Sequence, residues 1–273
     1  MSRVHSTRWR AAAVAAVLAL CGCAAPTTVG HAEPAGPHTL FFDDFDGPGG
    51  SAPSPQWRHD VGGGGWGNNE MQVYTDHPDN VSLDGHGHLA ITARGDSQNR
   101  ITSARVNTKG TFDFTFGRAE ARIALPAGRG LHPAFWLLGS DADQVGWPEC
   151  GEIDVIETLN DAWEYHTGVH APRSGLARGQ EISAAAPAPF PLAGQFHTYW
   201  VERTPGRIVT GIDDRTLLTV TPADLAEGGR WVFDAPFFLL LNLAVGGDWP
   251  GPPDHSTPNP STMLVDWVRV VAL

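Results

Sequence analysis

The chain has 273 residues, of which 41% are hydrophobic and only 18% are charged. Its 18 Lys and Arg residues against 30 Asp and Glu residues give a formal net charge of -12, which argues against a nucleic-acid partner that requires neutralised phosphates. Three cysteines are too few for a disulfide scaffold, whereas 32 glycines and 22 prolines are typical of many short strands joined by turns.

The N-terminal residues 1–22 have the layout of an export signal. Three arginines among the first ten residues precede a continuous apolar run at 11–20, which is too short to span a bilayer. The next residues, Leu-Cys-Gly-Cys, are similar to a bacterial lipobox, in which the last cysteine is acylated. The sequence therefore predicts an exported protein with a lipid anchor on Cys23. Cleavage after Ala25 or Ala32, which would give a soluble secreted product, is the alternative.

The rest of the chain divides into a tether and one domain. Residues 23–38 are small, polar and proline-rich, which predicts a flexible tether. Residues 39–273 are expected to form one all-β domain, because nearly every periodic segment alternates with period two. The predicted strands lie at 39–45, 88–94, 101–108, 118–123, 152–158, 164–170, 197–203, 207–213, 236–245 and 263–270. The only helix candidate, at 222–226, is too short for a parallel crossover, so two stacked antiparallel sheets are expected.

The strand at 152–158 is the most informative segment, because it carries Glu152, Asp154 and Glu157. In a regular strand Glu152 and Asp154 share one face, whereas Glu157 would point into the core at a high free-energy cost. A single β-bulge between Asp154 and Glu157 puts all three carboxylates on one face. A retaining glycosidase needs such a group, with one ionised nucleophile and one protonated acid. A solvated acidic strand is the bland alternative.

Two other chemistries receive little support. His166 and His170 are four residues apart, but in a strand-like segment this spacing does not form a helical pair of zinc ligands. Cys150 precedes the acidic strand, which would raise rather than lower the pKa of its thiol. We therefore expect a buried structural cysteine and no zinc site.

Seven further segments accompany the acidic strand in a fixed order. They are Phe-Phe-Asp-Asp-Phe-Asp-Gly at 41–47, Trp-Gly-Asn-Asn-Glu-Met-Gln-Val-Tyr-Thr at 66–75, Ile-Thr-Ser-Ala-Arg at 101–105, Phe-Gly-Arg-Ala-Glu-Ala-Arg at 116–122, Pro-Ala-Phe-Trp-Leu-Leu-Gly at 133–139, Leu-Asn-Leu-Ala-Val-Gly-Gly-Asp-Trp-Pro-Gly at 241–251 and Val-Asp-Trp-Val-Arg-Val at 265–270. With Glu-Ile-Asp-Val-Ile-Glu at 152–157, this series resembles glycoside hydrolase family 16 in its bulged, laminarinase-like form. The resemblance covers most of residues 40–271. It implies a jelly-roll β-sandwich of two antiparallel sheets, with a substrate cleft across the concave sheet, and hydrolysis of internal β-1,3-glucosidic bonds with retention.

The resemblance also implies roles for individual residues. Glu152 would be the nucleophile, Asp154 its assisting acid and Glu157 the general acid/base. Indole rings suit the apolar faces of sugars, although a sandwich of this size also buries tryptophans in its core. The residues expected to bind substrate are Trp66, Asn68, Arg105, Trp136, Trp147, His170 and Trp249. Core packing is expected for Trp163.

The expected partner is a β-glucan, the expected state is a monomer, and no cofactor is required for catalysis. Some family members bind a structural calcium, and the matching positions here are Asp44, Gly87 and Asp266. Carboxylates and backbone carbonyls would supply the oxygen ligands that calcium needs. A hydrogen-bonded Asp266 in the last strand is the alternative.

Two positions depart from the family pattern. His132 stands where a tryptophan usually precedes Pro-Ala-Phe-Trp, and residues 209–213 lack the aromatic residues common in the corresponding strand. A non-catalytic β-glucan-binding module on the same fold is an alternative, which the presence of all three carboxylates disfavours. An enzyme acting on another polysaccharide, such as a galactan, or a transglycosylase is a further one. Loss of three arginines with the export signal would change the net charge from -12 to -15, which disfavours sulfated galactans.

Overall fold

The structure is a computed structural model that describes residues 38–98 and 100–273. The predicted export signal at 1–22, Cys23 with its lipid anchor, and the tether at 23–38 apart from His38 lie outside the described residues. Within the described part of the chain, no helix has the length and apolar character needed to cross a membrane.

The described residues form seventeen strands and two short helical turns. The strands are β1 (Thr39–Asp43), β2 (Arg58–Asp60), β3 (Val73–Tyr74), β4 (Val81–Leu83), β5 (Leu89–Gly95), β6 (Ile101–Ser103), β7 (Arg105–Asn107), β8 (Gly117–Ala124), β9 (Leu131–Gly139), β10 (Glu152–Thr158), β11 (Glu164–Arg173), β12 (Leu176–Pro187), β13 (His197–Thr204), β14 (Arg207–Ile212), β15 (Arg215–Val220), β16 (Phe237–Val245) and β17 (Ser261–Val271). The α-helix α1 spans Ala142–Val145, and a 3-10 helix spans Pro222–Asp224.

These strands form two sheets, which confirms the predicted all-β jelly-roll sandwich. A ten-stranded sheet has the order β15-β14-β13-β8-β17-β5-β6-β3, with β1 beside β17 and β4 beside β5. A seven-stranded sheet has the order β12-β11-β10-β9-β16-β7-β2. Neighbouring strands are antiparallel except for the short parallel pair of β3 and β6. The acidic strand β10 therefore lies inside the seven-stranded sheet, between β9 and β11.

The hydrophobic core lies between the two sheets. Phe135, Ile153 and Leu241 from the seven-stranded sheet and Ala121 and Val268 from the ten-stranded sheet belong to one buried cluster. This burial follows from the alternation of each strand, because residues two apart point to the same face. The opposite face of the seven-stranded sheet, here called the open face, carries the polar residues described below.

The strand β14 shows how the fold accommodates one of the two departures from the family pattern. Its Gly211 has no side chain, and a Cβ atom at this position would collide with the indole ring of Trp200 on β13. The guanidinium carbon of Arg118 lies 4.0 Å from the centroid of the same ring. The indole ring of Trp200 on the neighbouring strand β13 therefore covers Gly211, where β14 lacks an aromatic residue.

Candidate active site

A β-bulge in β10 brings the three carboxylates to the open face. Asp154 pairs with Gly168 of β11, and Glu157 pairs with His166, so three steps along β10 match two steps along β11. The register with β9 shifts between Asp154 and Ile156. This is the bulge that the sequence predicted, and it leaves both Val155 and Ile156 buried.

A pair of threonines supports the bulge from the core side. The hydroxyl of Thr167 on β11 donates to the backbone carbonyl oxygen of Asp154 at 2.7 Å. The Oγ1 atom of Thr210 on β14 lies 2.8 Å from that of Thr167, so the two sheets are connected by hydroxyl contacts directly beneath the carboxylates. Both threonines are buried, where an unpaired carbonyl oxygen would be costly.

Glu157 and Asp154 each have one small cross-strand neighbour on the open face. Ala134 of β9 pairs with Glu157, and Gly168 of β11 pairs with Asp154. Neither neighbour carries a long side chain that could cover the carboxylates. On the other side, Glu157 lies beside His166 and Asp154 lies beside Trp136.

His170 supplies a positive charge beside two of the carboxylates. Its Nε2 atom lies 3.4 Å from Oδ2 of Asp154 and 3.7 Å from Oε1 of Glu152. Burial alone would lower the pKa of His170, but the hydrogen bond and the charge of Asp154 outweigh it and raise this pKa to about 9. The imidazolium form is therefore favoured at neutral pH.

Burial also changes the protonation of the carboxylates themselves. Burial, together with the nearby charge of Asp154, raises the pKa of Glu152 to about 8. Burial and the charge of Glu157 raise the pKa of Asp154 to about 6. The three groups repel one another when all are ionised, so the cluster keeps a proton near neutral pH.

Glu157 is flanked by two histidines, His132 and His166, and no role was predicted for His132. The Nε2 atom of His132 on β9 lies 2.8 Å from Oε1 of Glu157. The rings of His132 and of His166, on the other side of Glu157, both pack against Trp249 at centroid distances of 5.3 and 4.7 Å. The sequence marks His132 only as a departure from the family pattern, because its contact with Glu157 depends on the register between β9 and the bulged β10.

The predicted binding residues lie in three groups, the first of which is an aromatic and cationic stack. The guanidinium carbon of Arg105 lies 5.2 Å from the ring centroid of Trp66 and 4.6 Å from that of Trp136. Asp60 pairs with Arg105 at 2.8 Å, and Trp136 Nε1 donates to Asn242 Oδ1 at 2.7 Å. The stack immobilises both indole rings at one end of the open face.

The other two groups lie beside His170 and Glu157. Trp147 packs against His170 at a centroid distance of 5.7 Å and is 44% exposed. Trp249 is also 44% exposed. The backbone N–H of Asp248, which precedes Trp249, donates a hydrogen bond to the carbonyl oxygen of Asn68. Trp163, in contrast, is 76% exposed, so the expectation that it packs in the core is wrong. It follows the end of β10 in a hairpin that leaves its ring outside both sheets.

A polar network behind the stack was not predicted. Gln72 and the hydroxyl of Tyr74 donate to Oε2 of Glu70 at 2.6 and 3.4 Å, and Asn242 donates to the Tyr74 hydroxyl at 3.2 Å. Burial raises the pKa of Glu70. These residues lie in the motifs at 66–75 and 241–251. Their polar character inside strand-forming segments is the sequence feature from which the network could have been predicted.

A group of potential metal ligands lies within the carboxylate cluster. This group consists of Glu152, Asp154 and His170, with one ligand atom of each within 4.8 Å of the others. The charged imidazole of His170 already compensates these carboxylates, so we assign no metal to them.

The predicted calcium ligands have a similar difficulty. The buried carboxylate of Asp266 forms an ion pair with Arg122, and Nε2 of His88 lies 4.0 Å from its Oδ1. Oδ1 of Asp44 accepts a hydrogen bond from the backbone N–H of Asp46 at 3.2 Å. Calcium prefers uncompensated oxygen ligands, so this donor set fits the ion poorly.

Comparisons with known proteins agree with the motifs of the sequence. Residues 67–269 match the family described as glycosyl hydrolases family 16. A β-glucanase of Rhodothermus marinus is 37% identical over 243 residues, which cover 85% of this chain and 84% of that protein. A glucan endo-1,3-β-glucosidase of Cryptopygus antarcticus is 33% identical over 209 residues, covering 72% and 77%. The laminarinase catalytic domain of Thermotoga maritima superimposes with a TM-score of 0.78 at 36% identity, covering 86% of this chain and 98% of that domain.

Proposed function

Because the chain belongs to glycosyl hydrolases family 16 and is a glycoside hydrolase, we propose that it cleaves internal β-1,3-glucosidic bonds of β-glucans with retention of configuration. The observation that carries this proposal is the presence of Glu152, Asp154 and Glu157 on one open face of the bulged strand β10. The glucan-acting relatives support the substrate class.

In the first step, the carboxylic acid of Glu157 gives its proton to the glycosidic oxygen while the bond from that oxygen to C1 breaks. Glu152 attacks C1 through a carboxylate oxygen and forms a glycosyl ester. Besides the proton on Glu157, this step requires a second proton to reside on Asp154 rather than on Glu152, which leaves Glu152 ionised although burial and the charge of Asp154 raise its pKa. The imidazolium of His170, 3.7 Å from Glu152, stabilises this ionised form.

In the second step, the carboxylate of Glu157 removes a proton from water, and the water oxygen attacks C1. The bond between C1 and the Glu152 oxygen breaks, which regenerates the Glu152 carboxylate and the Glu157 acid. Each step inverts the configuration at C1, so the product keeps the configuration of the substrate. The chemistry requires only side chains of this chain and water.

Substrate binding is assigned to the aromatic residues around the carboxylates. The half-exposed rings of Trp147 and Trp249 can pack against the apolar faces of sugar units on either side of β10. Arg105, stacked between Trp66 and Trp136, offers N–H donors for sugar hydroxyls. A neutral polysaccharide needs these features rather than a basic surface.

The test is incubation of the purified protein with laminarin, mixed-linkage β-glucan, agarose and xyloglucan, with products resolved by chromatography and by proton NMR. We expect oligosaccharides from laminarin, with the β-anomer formed first. Glu152→Gln and Glu157→Gln should lower turnover by about 10³-fold or more while the proteins stay folded. Products from agarose alone, initial α-anomers, longer transfer products in place of hydrolysis, or glucan binding without products would each contradict the proposal.

We also propose that the protein is exported and anchored to the cell envelope by a lipid on Cys23. The support is the order of the basic residues, the apolar run at 11–20 and the cysteine that follows them. Mass spectrometry of the mature N-terminus should find an acylated Cys23. A mature chain that begins after Ala25 or Ala32 would contradict the anchor.

A further inference from the structure

His132 is placed to act on the side chain of Glu157. It lies on β9 two residues before Ala134, the cross-strand partner of Glu157, so its side chain points to the open face. Its Nε2 atom is 2.8 Å from Oε1 of Glu157, and the residue is only 8% exposed. A histidine with this burial needs a hydrogen-bond partner, and Glu157 provides one.

The environment of the imidazole defines which nitrogen carries the proton. The Nδ1 atom of His132 is buried and has no hydrogen-bond partner among the described residues. A neutral ring therefore places its proton on Nε2, where Glu157 accepts it, and leaves the unprotonated Nδ1 toward the buried side. In this arrangement Oε1 of Glu157 is engaged and Oε2 is left for the reaction.

We propose that His132 is a positioning residue for the general acid/base: it donates from Nε2 to Oε1 of Glu157 and thereby makes Oε2 the oxygen that exchanges the catalytic proton. This inference rests on the proposed function of Glu157. The edge contact between His132 and Trp249 holds the imidazole in the required orientation.

In the form of the pair in which His132 is neutral and Glu157 carries the proton, the proton balance is complete without any change at His132. In the first step the Oε2–H bond of Glu157 breaks and an O–H bond forms on the departing glucan. The resulting carboxylate keeps the hydrogen bond from His132, which becomes charge-assisted and therefore stronger. In the second step Oε2 takes a proton from water, and the hydrogen bond returns to its neutral form.

His132 also couples the acid/base to pH. The titratable groups that face it are Glu157 and Asp154 on β10, Glu70 from the segment before β3, and His166 on β11. Burial alone would lower the pKa of His132, but the hydrogen bond and the charge of Glu157 raise it above its usual value. The pair of His132 and Glu157 thus keeps its shared proton at a pH where an isolated histidine would lose it.

The experiment compares His132→Gln with His132→Leu on two substrates, laminarin and 2,4-dinitrophenyl β-laminaribioside. The aryl glycoside has a leaving group that needs no proton, so its kcat/KM does not depend on the acid. His132→Leu should lower kcat/KM for laminarin by about 100-fold and change that for the aryl glycoside by less than about fivefold. In His132→Gln an amide N–H replaces Nε2–H, so laminarin activity near the optimum should recover to within about tenfold of wild type.

The pH dependence of kcat/KM separates the positioning of Glu157 by His132 from the effect of His132 on the pH range of activity. The alkaline limb of kcat/KM for laminarin should move to lower pH in His132→Gln, because glutamine donates the hydrogen bond but does not titrate. His166→Gln is the matched control; since no hydrogen bond joins His166 to Glu157 among the described contacts, it should change both substrates by the same factor.

Equal losses on both substrates in His132→Leu, or no loss on either, would overturn the positioning role. An unchanged alkaline limb in His132→Gln would overturn the coupling. Glu157→Gln, measured in parallel, distinguishes this failure from a failure of the proposed function. Retained laminarin activity in Glu157→Gln would reject Glu157 as the acid/base. Loss of activity in Glu157→Gln together with unchanged activity in His132→Leu would reject only the role of His132.

Discussion

The Nε2 atom of His170 lies 3.4 Å from Oδ2 of Asp154, so a histidine of β11 neutralises a carboxylate that the bulge of β10 brings to the same face. The cross-strand partner of His170 is Glu152, and Glu181 lies on its other side in β12. The positive charge thus sits within a group of acidic residues. This arrangement makes the stability of the site depend on pH.

His170→Asn should lower stability most at acidic to neutral pH. The pKa of His170 is raised from 6.5 to about 9 by its carboxylate partners, against the effect of burial. Its stabilising contribution is therefore fully present below pH 6.5 and is lost as the pH rises through 9. Urea unfolding should show a pH-dependent difference of up to about 3 kcal/mol between wild type and variant. The exposed His86→Asn serves as control, and a difference for His170→Asn that does not change from pH 6 to 9 would contradict the ion pair.

The contact between the hydroxyls of Thr167 and Thr210 predicts that substitutions of the two residues lower the free energy of unfolding non-additively. Thr167→Val leaves the buried carbonyl oxygen of Asp154 without its hydroxyl donor, which should destabilise the protein by about 1–3 kcal/mol and lower kcat because the bulge loses support. Thr210→Val should destabilise the Thr167→Val variant less than it destabilises the wild type, because the partner hydroxyl of Thr167 is already absent. Denaturant unfolding of the two single variants and the double variant measures the coupling. Strict additivity would show that the two hydroxyls do not act together.

Arg105→Lys should weaken substrate binding. The planar guanidinium of Arg105 stacks between Trp66 and Trp136, whereas the ammonium group of a lysine is not planar and cannot stack in this way. Loss of these cation–π contacts should cost about 1 kcal/mol of binding free energy. We expect kcat/KM for laminarin to fall about fivefold, mainly through KM, because the two indole rings lose their fixed position. The exposed Arg58→Lys on β2 is the matched control. An unchanged KM in Arg105→Lys would exclude the stack from substrate binding.

Removal of calcium should not change thermal stability. Arg122 already compensates Asp266, so we expect a chelator to change Tm by less than about 1 °C. Asp266→Asn should lower Tm equally with and without chelator, because Arg122 loses its charged partner. A calcium-dependent rise of Tm in wild type that disappears in Asp266→Asn would instead establish the metal site.

The fold was predictable where one face of a strand is polar. Alternation located β8, β10 and β17, whereas β9 was not found by periodicity because Pro133, Ala134 and Phe135 are buried on both faces. The edge strand β12 was missed because alanines, glycine and charged residues give it a weak pattern. The helix candidate at 222–226 is a single 3-10 turn at Pro222–Asp224.

The positions of the carboxylates were predictable because Glu157 would otherwise point into the core. The contact between His132 and Glu157 was not, since it requires two strands that are 13 residues apart, Gly139 to Glu152, to pair in a register set by the bulge. The exposure of Trp163 also depends on a hairpin geometry that composition does not specify. Charges and alternation thus located the face, and strand register determined which side chains meet on it.

The most direct test of the account is to trap the glycosyl ester. Incubation with 2-deoxy-2-fluoro-β-laminaribiosyl fluoride slows the second step, and peptide mapping by mass spectrometry then locates the attached sugar. We predict inactivation with one 2-deoxy-2-fluorolaminaribiosyl group, which fragmentation of the labelled peptide places on Glu152 rather than on Glu157, and no such group in Glu152→Gln. A label on Glu157, or steady hydrolysis of laminarin by a protein that never acquires a label, would contradict a double displacement through Glu152.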